Sequence, residues 1–267
     1  MNAPPDILTD VEIELIPFPG NLEGTRPKQF FVPRGDILGI LLKTARPWEF
    51  GAQIDLYNVH ACGGSYLEVG ANIGTDTVHA SDFFKTCYAF EPSSRNVALL
   101  ERNLELNGVT NVQRFQVAVG EQSSWGKLYL GTNNNVGGAN LNPANPQSRR
   151  SEEVEIVTLD EAMPPDVRDV TYMHIDTEGH DIQVLKGASE FLSRQHQRPL
   201  IRMEFQPRAL QMHGSHVSEL IEIMERFEYT PKFNASGPMV CLSNAVLSEL
   251  FTLWLPTDGW IDILLCP

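Results

Sequence analysis

Cysteine is scarce in this chain, and the four present, Cys62, Cys87, Cys241 and Cys266, form no C-x-x-C pair. That excludes the common zinc-binding and thiol-redox motifs and suits a reducing cytoplasm. Positive charge is also scarce. Twenty Lys and Arg stand against 34 Asp and Glu, the net charge is −14, and the longest basic run is Arg149-Arg150. A nucleic-acid surface needs clustered cations to displace counterions, so no DNA or RNA partner is expected. No apolar stretch approaches the roughly 20 residues that cross a bilayer, so no membrane role is expected either. Met1 to Asp10 lacks the cationic start and apolar run of a signal peptide, and the expected location is cytoplasmic.

What is present is an ordinary globular composition, 42% hydrophobic and 20% charged in 267 residues. That length accommodates one α/β domain with or without an appendage. Residues 1–60 are irregular, with Pro and Gly early on and one alternating stretch from Val11 to Ile16. They read as an N-terminal extension or cap, with lead-in segments at Ile37 to Leu42 and Phe50 to Tyr57. Residues 61–267 read as the main domain.

From Ser65 onward, strands and helices alternate. Strands are expected at Ser65–Val69, Thr86–Phe90, Val112–Val119, Lys127–Leu130, Glu153–Val157, Val170–Ile175 and Arg198–Phe205. Helices are expected at Thr75–Phe84, after a Ser93 or Ser94 cap, at His180–Phe191 and at His216–Phe227. The tail has strand-like pieces at Leu250–Leu255 and Trp260–Leu265. Such alternation gives a mostly parallel sheet covered on both faces. Residues 131–150 hold five Asn before Pro143, two adjacent Gly and no periodicity. An unstructured stretch of that length reads as an inserted loop and a candidate lid.

Three constellations carry chemistry. The first is Leu67-Glu68-Val69-Gly70-Ala71-Asn72-Ile73-Gly74, a strand entering a glycine turn. A dinucleotide fingerprint would read G-x-G-x-x-G, and Asn72 stands where its second glycine lets a pyrophosphate approach. Glu68 adds negative charge beside the turn. Both features favour S-adenosylmethionine, which has adenine and ribose but no phosphate, over NAD. The second is Glu91, seventeen residues beyond Gly74 at the end of a strand. There a carboxylate can accept from both ribose hydroxyls. The third is Met173 to Asp181, with two imidazoles and three carboxylates in nine residues at a strand's carboxyl end. Strand alternation puts His174 and Asp176 on one face. Asp176, His180 and Glu204 are the candidates to orient or deprotonate an acceptor hydroxyl. Asp181 reads as a helix-start residue, and His213 and His216 as capping or solvent residues. Glu204 has salt bridges to Arg202 or Arg208 as its bland alternative. His174, Asp176 and His180 match no specific ligand spacing, so no metal is expected.

Taken together these residues resemble the FkbM family of S-adenosylmethionine-dependent methyltransferases. The resemblance rests on the Leu67–Gly74 turn, Phe90-Glu91-Pro92, Asn107-Gly108, Val117-Ala118-Val119-Gly120 and Thr158-Leu159-Asp160. Most specific is Ile175-Asp176-Thr177-Glu178-Gly179-His180-Asp181 followed by Val184-Leu185-Lys186-Gly187-Ala188. It covers about Ser65 to Tyr229. Thr177 replaces a usual aliphatic residue, and Asp181 a usual Glu. The resemblance implies a class I methyltransferase fold: a Rossmann-like, seven-stranded sheet with one antiparallel edge strand and helices on both faces. It implies that Glu68, Gly70, Ala71, Asn72 and Gly74 line the methionine and turn region, that Glu91 holds the ribose, that Ala118 lies near the adenine, and that Asp176 faces the transfer centre. The expected activity is O-methylation of a small hydroxylated acceptor such as a sugar, polyketide or other secondary metabolite. Residues 1–60 and the 131–150 loop would then select the acceptor, and a homodimer remains open. The alternatives are a non-catalytic binding protein of the same fold and, more remotely, an NAD-dependent oxidoreductase.

Overall fold

A computed structural model of the chain describes residues 12–18, 26–44, 63–132, 134–142, 150–233 and 239–267. The expected segment at Phe50–Tyr57, residues 1–11 and the distal part of the 131–150 loop, residues 143–149, lie outside these. An antiparallel hairpin, β1 (Ile13–Phe18) and β2 (Lys28–Pro33), comes first and is followed by helix α1 (Ile37–Thr44). The main unit then runs β3 (Ser65–Val69), α2 (Thr75–Ala80), β4 (Thr86–Phe90), α3 (Ser94–Leu106), β5 (Val112–Phe115), β6 (Ala118–Val119), β7 (Ser124–Tyr129) and β8 (Ser151–Val157). It continues with α4 (Leu159–Ala162), β9 (Val170–Ile175), α5 (Asp181–Lys186), α6 (Ser189–Arg194), β10 (Leu200–Phe205), α7 (Pro207–Met212) and α8 (Val217–Phe227). The tail holds β11 (Thr230–Phe233), β12 (Val240–Cys241), α9 (Asn244–Trp254) and β13 (Ile261–Cys266).

The main sheet has eight strands in the order β12-β11-β13-β10-β9-β3-β4-β5. Strands β10, β9, β3, β4 and β5 are parallel to their neighbours in that run. The expectation of seven strands with one antiparallel edge strand is corrected here. The antiparallel strand β13 is internal, wedged between β10 and β11, and β12 adds a further antiparallel edge. Strand β12 pairs with β11, and α9 follows before the last strand enters the sheet. The wedge strand is buried through Ile263 and Leu265 on one face and Leu264 on the other.

Alternation sorts side chains to the two faces. Leu67, Val69, Met173, Ile175, Met203 and Phe205 join a core completed by helices α5, α6, α8 and α9. Across the sheet, Val78 of α2 and Leu99 and Leu100 of α3 close the other core together with Phe18, Phe30 and Val32 of the hairpin. Helices therefore cover both faces, as expected from the sequence.

Three local expectations are corrected. Leu250–Leu255 lies in helix α9, because Ser243 caps it and Leu247 and Phe251, four residues apart, are its buried face. Val112–Val119 breaks into β5 and β6, which belong to different sheets; β6, β8 and β7 form a separate three-stranded sheet. His180–Phe191 breaks after Lys186, where Gly187 packs against the Gly120 carbonyl at a distance that admits no side chain.

A buried amide, Asn103, helps fasten the hairpin to the main unit, beside the Lys28–Asp82 ion pair. Asn103 Oδ1 accepts from Phe31 N at 2.7 Å, and its Nδ2 donates to the carbonyls of Phe31 (3.2 Å) and Ile73 (2.8 Å). Asn103 is fully buried. Leucine there would fill the volume and leave these backbone groups unpaired. Asn103→Leu should cost about 2–4 kcal/mol, read as a lowered urea midpoint with an unchanged slope.

Candidate functional site

The carboxyl ends of β3, β4, β9 and β10 open onto one cavity. Clefts at this edge of an open α/β sheet are where ligands bind. Gly70, Asn72, Glu91, Ala118, Asp176, His180 and Glu204 all line it. Glu68 and Ala71 line an adjoining cavity that shares Gly70, Asn72 and Asp176. Gly74 lines neither. It starts α2 at φ +85°, and a Cβ there would lie 2.3 Å from Leu100, so this glycine serves helix packing.

Gly70 also has a different task from the one its sequence suggests. At φ +94° its missing Cβ makes room for the Asp176 carbonyl, which would lie 1.8 Å away. The close approach it permits is between two strand ends of the protein itself. Asp176 N in turn donates to Val69 O at 2.9 Å, locking the two ends side by side.

Glu91 is buried, with Oε2 accepting from Asn72 N (2.8 Å) and Oε1 from Ser93 N (2.9 Å). Each carboxylate oxygen has two lone pairs, so acceptor capacity remains for a ligand. Burial pushes its carboxyl up to about 7, against the hydrogen bonds from Ser93, Asn72 and Asn96. Asn72 holds a left-handed φ of 51°, and its buried Oδ1 has no partner in the protein.

The acceptor side is crowded with carboxyls. Asp176 is exposed to the cavity space, yet burial among protein atoms raises its carboxyl to about 6, with His174 opposing the rise. Glu178 is raised to about 8 by burial and by the charges of Asp176 and Asp181. It sits at φ 55°, unusual for a residue with a side chain. Glu204 is raised to about 10 by burial and then by Asp176, Glu178, Asp181 and Asp262. Neither bland partner claims it: Arg202 pairs with Asp262 (2.5 Å) and Arg208 with Asp258 (2.9 Å). Burial and the neighbouring carboxylates thus favour the protonated form of Glu204, which can donate a hydrogen bond. Asp181 is fully buried and accepts from the amides of Thr177 (3.4 Å) and Gly179 (3.1 Å), so it holds the turn together.

His180 Nδ1 lies 3.3 Å from His213 Nδ1. Burial lowers both rings to about 4, so both are neutral at pH 7. His213 also bonds the Glu178 backbone. In the tautomer in which His180 Nδ1 donates to His213, His180 Nε2 is an acceptor. His216 does cap α8, as expected, but His213 belongs to the site. The two segments that matched no motif supply the cavity's roof: Asp36 and Leu38 from the N-terminal side, and Asn135, Gly137 and Asn140 from the loop. Asp36 accepts from Val136 N and Leu38 N, both at 2.8 Å, which ties the two segments together.

Five carboxyl residues and no lysine or arginine are among the described residues lining the main cavity. That lining suits a cationic sulfonium and opposes a pyrophosphate. The model of the methyltransferase FkbM domain matches residues 68–231. The chain belongs to the FkbM methyltransferase domain family. Its methyl donor is S-adenosyl-L-methionine. No curated protein matches the chain. Among solved structures, the methyltransferase FkbM from Methylobacillus flagellatus KT is similar at 14% identity, over 86% of this chain and 52% of that one, with a TM-score of 0.49. This chain thus spans about half the length of that protein. The putative methyltransferase SMU.1697c from Streptococcus mutans, solved in complex with SAH, is similar at 11% identity, over 82% and 97% of the two chains, with a TM-score of 0.48.

The raised carboxyls of this FkbM site give a sign to the pH dependence. A carboxyl whose folded value exceeds its unfolded one stabilises the fold at low pH, and that contribution is lost as pH rises through the folded value. Glu91, Glu178, Asp181 and Glu204, at about 7, 8, 8 and 10, are all in this class. The lowered histidines contribute fully above about pH 6.5 and add no slope there. Stability of the donor-free protein should therefore fall between pH 6.5 and 8.5. One proton's slope is about 1.4 kcal/mol per pH unit. Urea unfolding across that range checks this; a flat or rising profile contradicts it.

Proposed function

We propose that this FkbM-family chain is an O-methyltransferase acting on a hydroxyl of a small molecule, such as a sugar, polyketide or other secondary metabolite. The observation that carries the reading is the convergence of Asp176, His180 and Glu204 on one cavity with Glu91 and the glycine turn. When bound, S-adenosylmethionine supplies an electrophilic methyl on a sulfonium. Glu91 would hold its ribose hydroxyls, Ala118 would lie near its adenine, and Gly70 and Asn72 would border its amino-acid end. Asp176 stands nearest the strand-end junction and offsets positive charge there. His180 Nε2 takes the acceptor's hydroxyl proton, and Glu204, as a donor, orients a second acceptor oxygen. Catalysis then rests on alignment of the two reactants with water kept out. The roof made by Asp36, Leu38 and the 134–142 segment selects the acceptor and shields the site.

The test is transfer from methyl-labelled S-adenosylmethionine to a panel of small acceptors bearing hydroxyl, amino or thiol groups. Labelled products are assigned by mass spectrometry and NMR. Methyl ethers support the reading. Exclusive N- or S-methylation overturns it, and donor binding with no transfer to any acceptor favours a non-catalytic binding role.

A further inference from the structure

Beside the glycine turn lies a polar cluster in which Glu68, expected at the methionine end, meets Asp76 and His174, which the methyl-transfer reading does not use. Register places Arg202, His174 and Glu68 in one row across β10, β9 and β3. Arg202 pairs with Asp262. Glu68 Oε2 accepts from Thr77 Oγ1, which leaves Oε1 facing His174. Asp76, in the first turn of α2, closes the group from above.

The spacing within the group is the informative feature. His174 Nδ1 stands 3.3 Å from Asp76 Oδ2 and 3.5 Å from Glu68 Oε1. His174 is 9% exposed, and its Nδ1 makes no hydrogen bond. Asp76 Oδ1 likewise has none. One ligand atom from each of the three residues lies within 4.8 Å of the others. Tetrahedral coordination with bonds of about 2.0–2.2 Å sets neighbouring ligand atoms roughly 3.4 Å apart. The two measured separations match that edge. A buried imidazole nitrogen without a hydrogen bond, aimed between two carboxylates at coordination spacing, is the second observation that distinguishes this cluster from a mere concentration of acid.

We propose that Glu68, Asp76 and His174 form a three-ligand site for a divalent cation of the zinc type. One imidazole with two carboxylates suits ions of intermediate hardness, which accept both nitrogen and oxygen, better than Mg²⁺ or Ca²⁺. The adjoining cavity, bordered by Gly70 and Asp176, leaves room for a fourth ligand such as water. Bridging β3, α2 and β9, the ion cross-links the elements on which the glycine turn is built. It also adds positive charge beside two buried carboxylates.

The test uses the full chain, stripped with EDTA and free of methyl donor, so that it stands apart from the methyl-transfer reading. Calorimetric titration with Zn²⁺ should show one equivalent bound, excess Mg²⁺ should not compete, and Zn²⁺ should raise the melting temperature. Co²⁺ in its place should give visible absorption bands of a low-symmetry nitrogen/oxygen site. Asp76→Asn and His174→Ala should each weaken Zn²⁺ at least 100-fold, whereas His213→Ala should leave it unchanged. No binding to the wild type overturns the proposal. So does binding that survives both ligand variants, or that is lost in His213→Ala, which would move the ion to the His180–His213 pair. Should the ligand variants fail to fold, the stoichiometry and the Co²⁺ spectrum of the wild type still decide the matter.

Discussion

Gly70→Ala should destabilise the protein by about 3–5 kcal/mol and abolish donor binding. Two separable costs meet at this position. The backbone φ of +94° is one that an L-residue adopts only under strain, worth about 1–3 kcal/mol. The new methyl would also lie 1.8 Å from the Asp176 carbonyl oxygen. That oxygen belongs to backbone that is itself tied to β3 by the Asp176 N to Val69 O bond. Relief therefore requires β3 and β9 to part at their carboxyl ends, where the cavity opens. Gly108→Ala is the control. Gly108 has a φ of +64°, but nothing lies within 4 Å of a Cβ there. It should cost only about 1 kcal/mol. Urea unfolding of both variants isolates the contact term. Equal losses would show that the strand-end contact does not govern this turn.

The same contact shows what was legible in the sequence. Glycine at residue 70, a carboxylate closing β4 and an acidic, histidine-bearing segment closing β9 could be read because an open α/β sheet gathers its strand ends at one rim. Position along a strand then stands in for position in space. Gly70, Asn72, Glu91, Ala118, Asp176, His180 and Glu204 share one cavity for that reason. The reason for Gly70 could not be read, since its neighbour Asp176 is over one hundred residues away in sequence. Asp36 with Val136 and His180 with His213 were hidden in the same way, by tertiary contacts between segments that carry no common spacing. Glu68 and His174 were each noticed, but only the β3–β9 register makes them neighbours. Leu250–Leu255 failed for a local reason. Apolar residues in a short window satisfy either a strand or one turn of an amphipathic helix, and the Ser243 cap that decides between them lies upstream of that window.

Glu91→Ala should weaken S-adenosylmethionine binding about 100- to 1,000-fold. Two charge-assisted hydrogen bonds to a ribose, each near the lower end of roughly 1.5–3 kcal/mol, account for that range. The carboxylate has a second duty. It accepts the amides of Asn72 and Ser93, one from the glycine turn and one from the cap of α3. Alanine removes both supports, so part of the loss would come through the turn. Glu91→Gln separates the contributions. It keeps one oxygen for Ser93 N but sets an amide N–H against Asn72 N–H, and it removes the charge. An intermediate loss of about tenfold is expected, with a melting temperature closer to that of the wild type. The protonation state adds an independent signature. The free carboxyl is pushed up to about 7, and a ribose is best held by its ionised form. Donor binding should therefore release protons below that pH, and affinity should rise with pH before levelling off above about 7. Calorimetry in buffers of different ionisation enthalpy reads the proton release directly. An unchanged dissociation constant in Glu91→Ala, with the pH dependence intact, would remove Glu91 from the ribose and return it to the purely local role its two amide contacts describe.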